Sequence, residues 1–228
     1  MTVCIAALSD NKKKAVLVAD KLLTNRGTFS NQTNGDGKIF TMNENVKVMY
    51  AGGASEALTI IDKAKKSIGS KKWVLEIAEH VNQKHLEYLQ DILINTHLIP
   101  RGIKSIAEYY RGQNFNIDIP TKNLIDTALT THNLINAVFF IVCGKDSDGL
   151  FKVYLLSPNP RTIPSLVITD YAAIGSGSNH ALFSIIHSKE KYSHLLSSEK
   201  IKKILLEAKK KAEKDPDVGK ETDTEIME

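Results

Sequence analysis

The chain has 228 residues, enough for one sizeable core or two small ones, with 42% hydrophobic and 25% charged residues, an ordinary globular balance. A formal charge of +4, from 30 basic and 26 acidic residues, is too small to argue for a nucleic-acid partner. The longest apolar run, from Ala137 to Cys143, is too short to span a bilayer, and no charged segment with an apolar core and cleavage site opens the chain, so a cytoplasmic protein without a membrane partner is expected.

The first 50 residues read as β structure. Thr2 to Ser9 is apolar and β-branched. Asp10 to Lys13 is a turn, and Ala15 to Asp20 is a second strand ending on a carboxylate. A polar stretch from Thr24 to Gly37 reads as loop or irregular edge. Lys38–Met42 and Asn45–Ala51 are two more short strands, and Gly52-Gly53 ends them. Helices follow. Ala54–Ile68 carries Ala57, Ile60, Ile61 and Ala64 at helical spacing, and Gly69-Ser70 breaks it. Trp73–Ile99 reads as one long helix stopped by Pro100. Ile103–Gly112 and Lys122–Leu134 read as short helices around an Asn/Pro-rich loop.

Strands then return. Ala137–Cys143 and Leu150–Leu156 flank a Gly/Asp-rich hairpin turn, and Leu166–Thr169 and Ala172–Ile174 are shorter. Gly175-Ser176-Gly177-Ser178 leads into a helix over Asn179–Glu190, Ser198–Lys214 is a last helix, and Thr222–Met227 is a candidate final strand. The lysines of Ile201–Lys211 read as a solvated helix face. The order strands, helices, strands, helices predicts an α+β protein in which two antiparallel sheets pack face to face with helices outside, a four-layer αββα sandwich.

Cys4 and Cys143 lie inside apolar strand-like runs and read as two reduced, buried thiols. No clustered ligand pattern suggests a metal, and the histidines His80, His85, His97, His132, His180, His187 and His194 read as surface or packing residues. No cofactor is expected.

The chemistry-bearing residues are spread along this order. Thr2 directly follows Met1; removal of Met1 would give one residue both a hydroxyl nucleophile and an α-amine to act as its base. Asp20 ends the second strand, Lys38 opens the third, Gly52 ends the fourth at a helix entrance, and Gly175–Ser178 precedes a late helix. Taken singly, each has a plainer reading. Asp20 is an ordinary strand-end residue, Lys38 an edge-strand lysine, and Gly175–Ser178 a phosphate-binding loop, although it lacks a P-loop lysine.

As an ordered set, Met1-Thr2-Val3-Cys4-Ile5-Ala6, Val18-Ala19-Asp20, Gly37-Lys38-Ile39-Phe40, Tyr50-Ala51-Gly52, Ala173-Ile174-Gly175-Ser176-Gly177-Ser178 and Ala212–Gly219 with Asp223 resemble the proteasome β-subunit family of N-terminal-nucleophile hydrolases. The resemblance covers roughly residues 1–65 and 137–223 and implies a single domain with an atypical insertion at about 100–136. It implies a threonine hydrolase acting on peptide bonds through an acyl-enzyme on Thr2. Asp20 would hold Lys38, and Lys38 would favour the alkoxide and the neutral amine. The Gly52 N–H would bind the oxyanion, and Ser176 and Asp215 would support the nucleophile. Tyr50, Gly52, Leu23 and Ala54 would line the substrate cleft.

The resemblance also implies a peptide or protein substrate, a homo-oligomeric ring or related assembly, and a possible ATPase partner. Val218 stands where many members carry a serine, which motivates a second reading as a non-catalytic structural subunit. A third reading is a small-amide hydrolase, with Tyr50 narrowing the cleft.

Overall fold

The computed structural model describes residues 2–24, 31–32, 37–111, 117–131, 138–156, 165–166, 170–188, 191–216 and 218–228. The N-terminal residues form a hairpin of β1 (Cys4–Ser9) and β2 (Lys14–Asp20), paired antiparallel from Cys4 opposite Ala19 to Ser9 opposite Lys14. Every residue of β1 is buried, because the strand has a packed layer on each face. Cys4, Ala6 and Leu8 face one core cluster, while Val3, Ile5 and Ala7 face another. The side-chain period of two converts one apolar run into two buried faces.

β3 (Leu23–Thr24) pairs with β4 (Asn31–Gln32) in a two-residue ribbon. β5 (Ile39–Thr41) and β6 (Val46–Ala51) begin a second sheet, and α1 (Ala54–Lys66) and α2 (Val74–Leu93) follow. β7 (Phe139–Lys145) and β8 (Phe151–Leu156) complete the centre of this sheet, and β9 (Ser165–Leu166) edges it. β10 (Tyr171–Ile174) leads to α5 (Ser178–Ile186), then α6 (Ser198–Ala212) and β11 (Thr222–Met227). The order is β10-β1-β2-β11 in the first sheet and β5-β6-β7-β8-β9 in the second, with every pairing antiparallel.

Three core clusters set the layers. Ala57, Ile60, Ile77 and Val81 of α1 and α2 pack on Val48, Phe140 and Val142 of the second sheet. Leu17, Ala19, Met49, Ile141 and Phe151 fill the space between the sheets. Ala181, Ile185, Ile201, Leu205 and Ala212 of α5 and α6 pack on Val3, Ile5 and Val18 of the first sheet. The result is the expected αββα sandwich.

The structure departs from the sequence reading in the middle of the chain. The expected helix to Ile99 ends as α2 at Leu93, then widens over Ile94–Leu98 and tightens over Ile99–Arg101. Pro100 lies in that tight turn, whose Gly102 closes it with φ 75°. α3 (Ile106–Arg111) is shorter than expected, and α4 (Ile119–Thr131) starts three residues early. Asp118 explains the second difference: its carboxylate accepts the Thr121 N–H at 2.8 Å, as a helix cap does. Leu93, Leu98, Ile103, Tyr109 and Ile125 form a small cluster of their own, with the Tyr109 hydroxyl donating to Asp126 at 2.9 Å. Of the strand expected over Leu166–Thr169, 167–169 lie outside the described residues.

Candidate active site

The site lies where the first sheet begins. Thr2 leads into β1, Asp20 ends β2, and Lys38 enters β5, so three residues far apart in sequence meet at one end of the sandwich. All three are buried: Thr2 is 4%, Asp20 0% and Lys38 2% exposed. A polar group so deep must be bonded, and a charge must be paired. Both conditions are met. Lys38 Nζ pairs with Asp20 Oδ1 at 2.9 Å, donates to the Leu22 carbonyl at 2.6 Å, and donates to Thr2 Oγ1. Those three acceptors match the three donors of an ammonium.

Asp20 is the hub. Its Oδ1 accepts from Thr2 Oγ1, the Val3 N–H at 2.8 Å and Lys38; its Oδ2 accepts from the Leu22 N–H at 3.2 Å and the Gly219 N–H at 3.1 Å. Five donors on one buried carboxylate satisfy both its oxygens and fix its plane. The Thr2 hydroxyl is thereby held between an ammonium that donates to it and a carboxylate that accepts from it.

The backbone of Thr2 is fixed as well. The turn after β10 runs against it, and the Gly177 N–H donates to the Thr2 carbonyl at 3.4 Å. Gly175 has φ 98° in that turn, and a Cβ there would overlap the Thr2 carbonyl. Both the dihedral and the close approach therefore require glycine. Gly52 follows β6 with φ 114° and is exposed. Cys4 Sγ, two residues beyond Thr2, donates to the Tyr50 carbonyl at 3.2 Å, two residues before Gly52. The start of β1 and the end of β6 thus lie side by side. Burial pushes the Cys4 thiol up to about 12, with Lys38 opposing the shift, so it is a packed thiol and no thiolate nucleophile at neutral pH.

The remaining residues singled out in the sequence take varied places. Tyr50 is 1% exposed, packed in the core beneath α1 and α2, with its ring 5.8 Å from that of Phe40. Burial first, then Cys4 and Asp20, push its hydroxyl up to about 12. Ala54 is the first residue of α1, half-buried against the same core. The Leu23 side chain lies outside the described residues. Ser176 Oγ is buried without a hydrogen-bond partner among the described residues. Asp215 sits in the turn after α6, where its carbonyl accepts the Val218 N–H at 3.0 Å. Val218 is buried and packs toward Gly177: a Cβ on that glycine would lie 2.8 Å from Val218 Cγ2.

Sequence reasoning missed the backbone groups that complete the cluster, namely the Val3 and Gly219 N–H groups and the Leu22 carbonyl. Gly219 was visible only as the last residue of a matching phrase. Among the described residues, no three His, Cys, Asp or Glu side chains form a group that could hold a metal ion. No helix among them is long and apolar enough to cross a membrane.

Two antiparallel sheets stacked between helix layers give the α+β sandwich of the N-terminal-nucleophile hydrolase fold. Among solved structures, the chain is similar to eukaryotic HslV from Trypanosoma brucei, with 16% identity over 100% of this chain and 99% of that one and a TM-score of 0.58. At that identity the likeness is one of fold. No family model matches the chain, and no curated protein matches it in sequence.

Proposed function

We propose that the protein is an N-terminal threonine hydrolase that cleaves peptide bonds after removal of Met1. The observation that carries this reading is the Thr2 hydroxyl bonded at once to a buried Lys38 ammonium and a buried Asp20 carboxylate. A hydroxyl becomes a useful nucleophile only when its proton has a destination and its alkoxide a stabilising charge.

While Met1 is attached, the Thr2 nitrogen is an amide and no base. Once freed, it is an amine with an ordinary pKa of about 8. Thr2 Oγ1 then attacks the substrate carbonyl carbon as its proton passes to that amine. The amine hands the proton to the leaving nitrogen, the C–N bond breaks, and an ester on Thr2 remains. Water, deprotonated by the same amine, attacks that ester and restores the hydroxyl. The Gly52 N–H is the candidate oxyanion donor, and its exposure leaves room for a substrate. Ser176 Oγ, buried without a hydrogen-bond partner among the described residues, suits a role in orienting the new amine, and Asp215 is proposed to assist it. Leu23 and Ala54 are the proposed cleft residues, whereas the Tyr50 ring, expected there from the sequence, is packed in the core beneath α1 and α2. The family resemblance extends the reading to a single domain with a 100–136 insertion, a cytoplasmic self-assembled oligomer and a possible ATPase partner.

Turnover of a peptide library by protein lacking Met1, lost in Thr2→Ala, is the expected result. Turnover that survives in Thr2→Ala sinks the proposal. Cleavage of small amides without any peptide cleavage would narrow the substrate class to small amides. Val218 favours a second reading, a non-catalytic subunit of the same fold, because it brings an apolar packed side chain where a hydroxyl is expected. Retention of Met1 on protein isolated from its natural source would support that reading.

A further inference from the structure

Among the described residues, Lys209 is the other deeply buried lysine. The lysines of α6 were expected to form a solvated face, and Lys209 departs from that expectation at 1% exposure. It falls four residues after Leu205 and eight after Ile201, on the stripe that packs against the first sheet. Burying an ammonium costs several kcal/mol unless its bonds are well made. An apolar residue at this position would stabilise the helix without that cost. The ammonium donates to Glu213 Oε1 at 2.7 Å and to the Lys220 carbonyl at 2.6 Å. The second bond is informative, because it crosses from the helix to residues 218–220, which lead into β11.

Residues 218–220 lie against the site. Gly219, next to Lys220, donates its N–H to Asp20 Oδ2 at 3.1 Å. Gly219 also lies against Leu22, where a Cβ would come within 2.5 Å of Leu22 Cβ. The Leu22 carbonyl in turn holds Lys38 Nζ at 2.6 Å. One residue later the chain is fixed again, as the Lys21 N–H donates to the Glu221 carbonyl at 3.2 Å and β11 begins opposite Asp20. A continuous series of contacts therefore runs from the Lys209 ammonium, through the Lys220 carbonyl and Gly219, to the carboxylate that holds Thr2 and Lys38.

We infer that Lys209 is a positioning residue for the threonine site, acting through the Lys220 carbonyl to aim the neighbouring Gly219 N–H at Asp20. The structural part stands on the contacts alone, and its kinetic consequence rests on the proposed hydrolase reading. Lys209 touches neither Asp20 nor Thr2 and takes no proton in the reaction. Its ammonium fixes the Lys220–Glu221 peptide plane, and through the short stretch of chain before it limits how the Gly219 N–H can turn. Glu213 is partly exposed and can turn to water if its partner is removed.

The test compares native protein with Lys209→Met, Lys209→Gln and Ile204→Val. Lys209→Met keeps the length of the side chain and removes the donor. Lys209→Gln keeps a donor that can reach a carbonyl. Ile204→Val is a core variant on the same helix that leaves residues 218–220 alone. Amide hydrogen exchange at Gly219, referenced to Val18 in β2, reads the positioning without any need for activity. Losing a hydrogen bond from a charged donor corresponds to about tenfold or more. Gly219 should therefore exchange about tenfold faster relative to Val18 in Lys209→Met, recover in Lys209→Gln, and stay unchanged in Ile204→Val. If the protein hydrolyses peptides, kcat in Lys209→Met should fall by a similar factor with KM within about twofold.

A Gly219-to-Val18 ratio in Lys209→Met equal to that of native protein, or shifted equally in Ile204→Val, overturns the inference. A native protein without turnover leaves the exchange ratio to decide alone, so the failure of the hydrolase reading and the failure of this one remain distinguishable. Should Lys209→Met not fold, Lys209→Gln is compared with Lys209→Ser, whose side chain is too short to reach the Lys220 carbonyl. The exchange difference is then expected between those two, and its absence overturns the inference.

Discussion

Replacing Asp20 by asparagine tests the electrostatic centre of the site with the smallest change of shape. The carboxylate accepts from Thr2, Val3 and Lys38 on one oxygen and from Leu22 and Gly219 on the other. An amide offers one oxygen and one NH2 group. Directed at the Leu22 and Gly219 N–H groups, the NH2 leaves two backbone donors without an acceptor. Directed at the other side, it faces a hydroxyl, a backbone N–H and an ammonium. Each buried donor left unsatisfied costs about 1–3 kcal/mol. Breaking a buried ion pair by neutralising one partner costs about 3–5 kcal/mol in total. A loss of about 4 kcal/mol is the expectation, which for a chain of this size lowers Tm by about 8–16 °C.

Urea denaturation of native protein, Asp20→Asn, Lys38→Met and the double variant separates the charge effect from the hydrogen bonds. The double variant removes the uncompensated ammonium and should be at least about 1 kcal/mol more stable than Asp20→Asn. A loss below about 1 kcal/mol in Asp20→Asn, or a double variant no better than the single, refutes the reasoning.

Three further outcomes follow from the same structure. Gly175→Ala should lose about 2–4 kcal/mol in urea denaturation, because the residue sits at φ 98° and its Cβ would overlap the Thr2 carbonyl. Ser176→Ala should leave Tm nearly unchanged, because the buried Oγ has no bond among the described residues to lose; slower covalent labelling of Thr2 in that variant would place the hydroxyl beside the freed amine. Burial lowers His85 from 6.5 to about 4, so the unfolded chain takes up a proton that the folded chain refuses. Stability from this residue is present above about pH 6.5 and falls by about 3 kcal/mol as pH drops towards 4. Urea midpoints measured between pH 7 and 4.5 should therefore decline, and His85→Met should flatten the decline.

Much of the fold was legible because its strands carry strong apolar runs with clear punctuation. Val46–Ala51 ends at Gly52, and Phe139–Lys145 turns at the 146–149 hairpin, so sequence and structure agree there within a residue or two. The end of α2 was not legible. Ile94, Leu98 and Ile99 continue the apolar pattern, and nothing before Pro100 marks the change of helical pitch at Leu93. The β3–β4 ribbon was hidden for the opposite reason, since Asn31 and Gln32 carry no strand pattern.

In the site, Thr2, Asp20 and Lys38 were found because they carry distinctive side chains at strand ends. The Leu22 carbonyl and the Val3 and Gly219 N–H groups have no side-chain signature, and only the folded backbone reveals them. Lys209 did carry a signal. Its place four residues after Leu205 puts it on the packed stripe, but five of its neighbours within seven residues are also lysines, and the solvated reading absorbed it.

The central claim is that Thr2 is a working nucleophile, and intact mass spectrometry tests it most directly. Untagged protein and Thr2→Ala are each measured before and after incubation with a threonine-directed epoxyketone, whose adduct needs both the hydroxyl and the free amine. The account predicts a native mass lacking Met1 and one adduct per chain that Thr2→Ala does not form. A native chain that keeps Met1 and forms no adduct would contradict it.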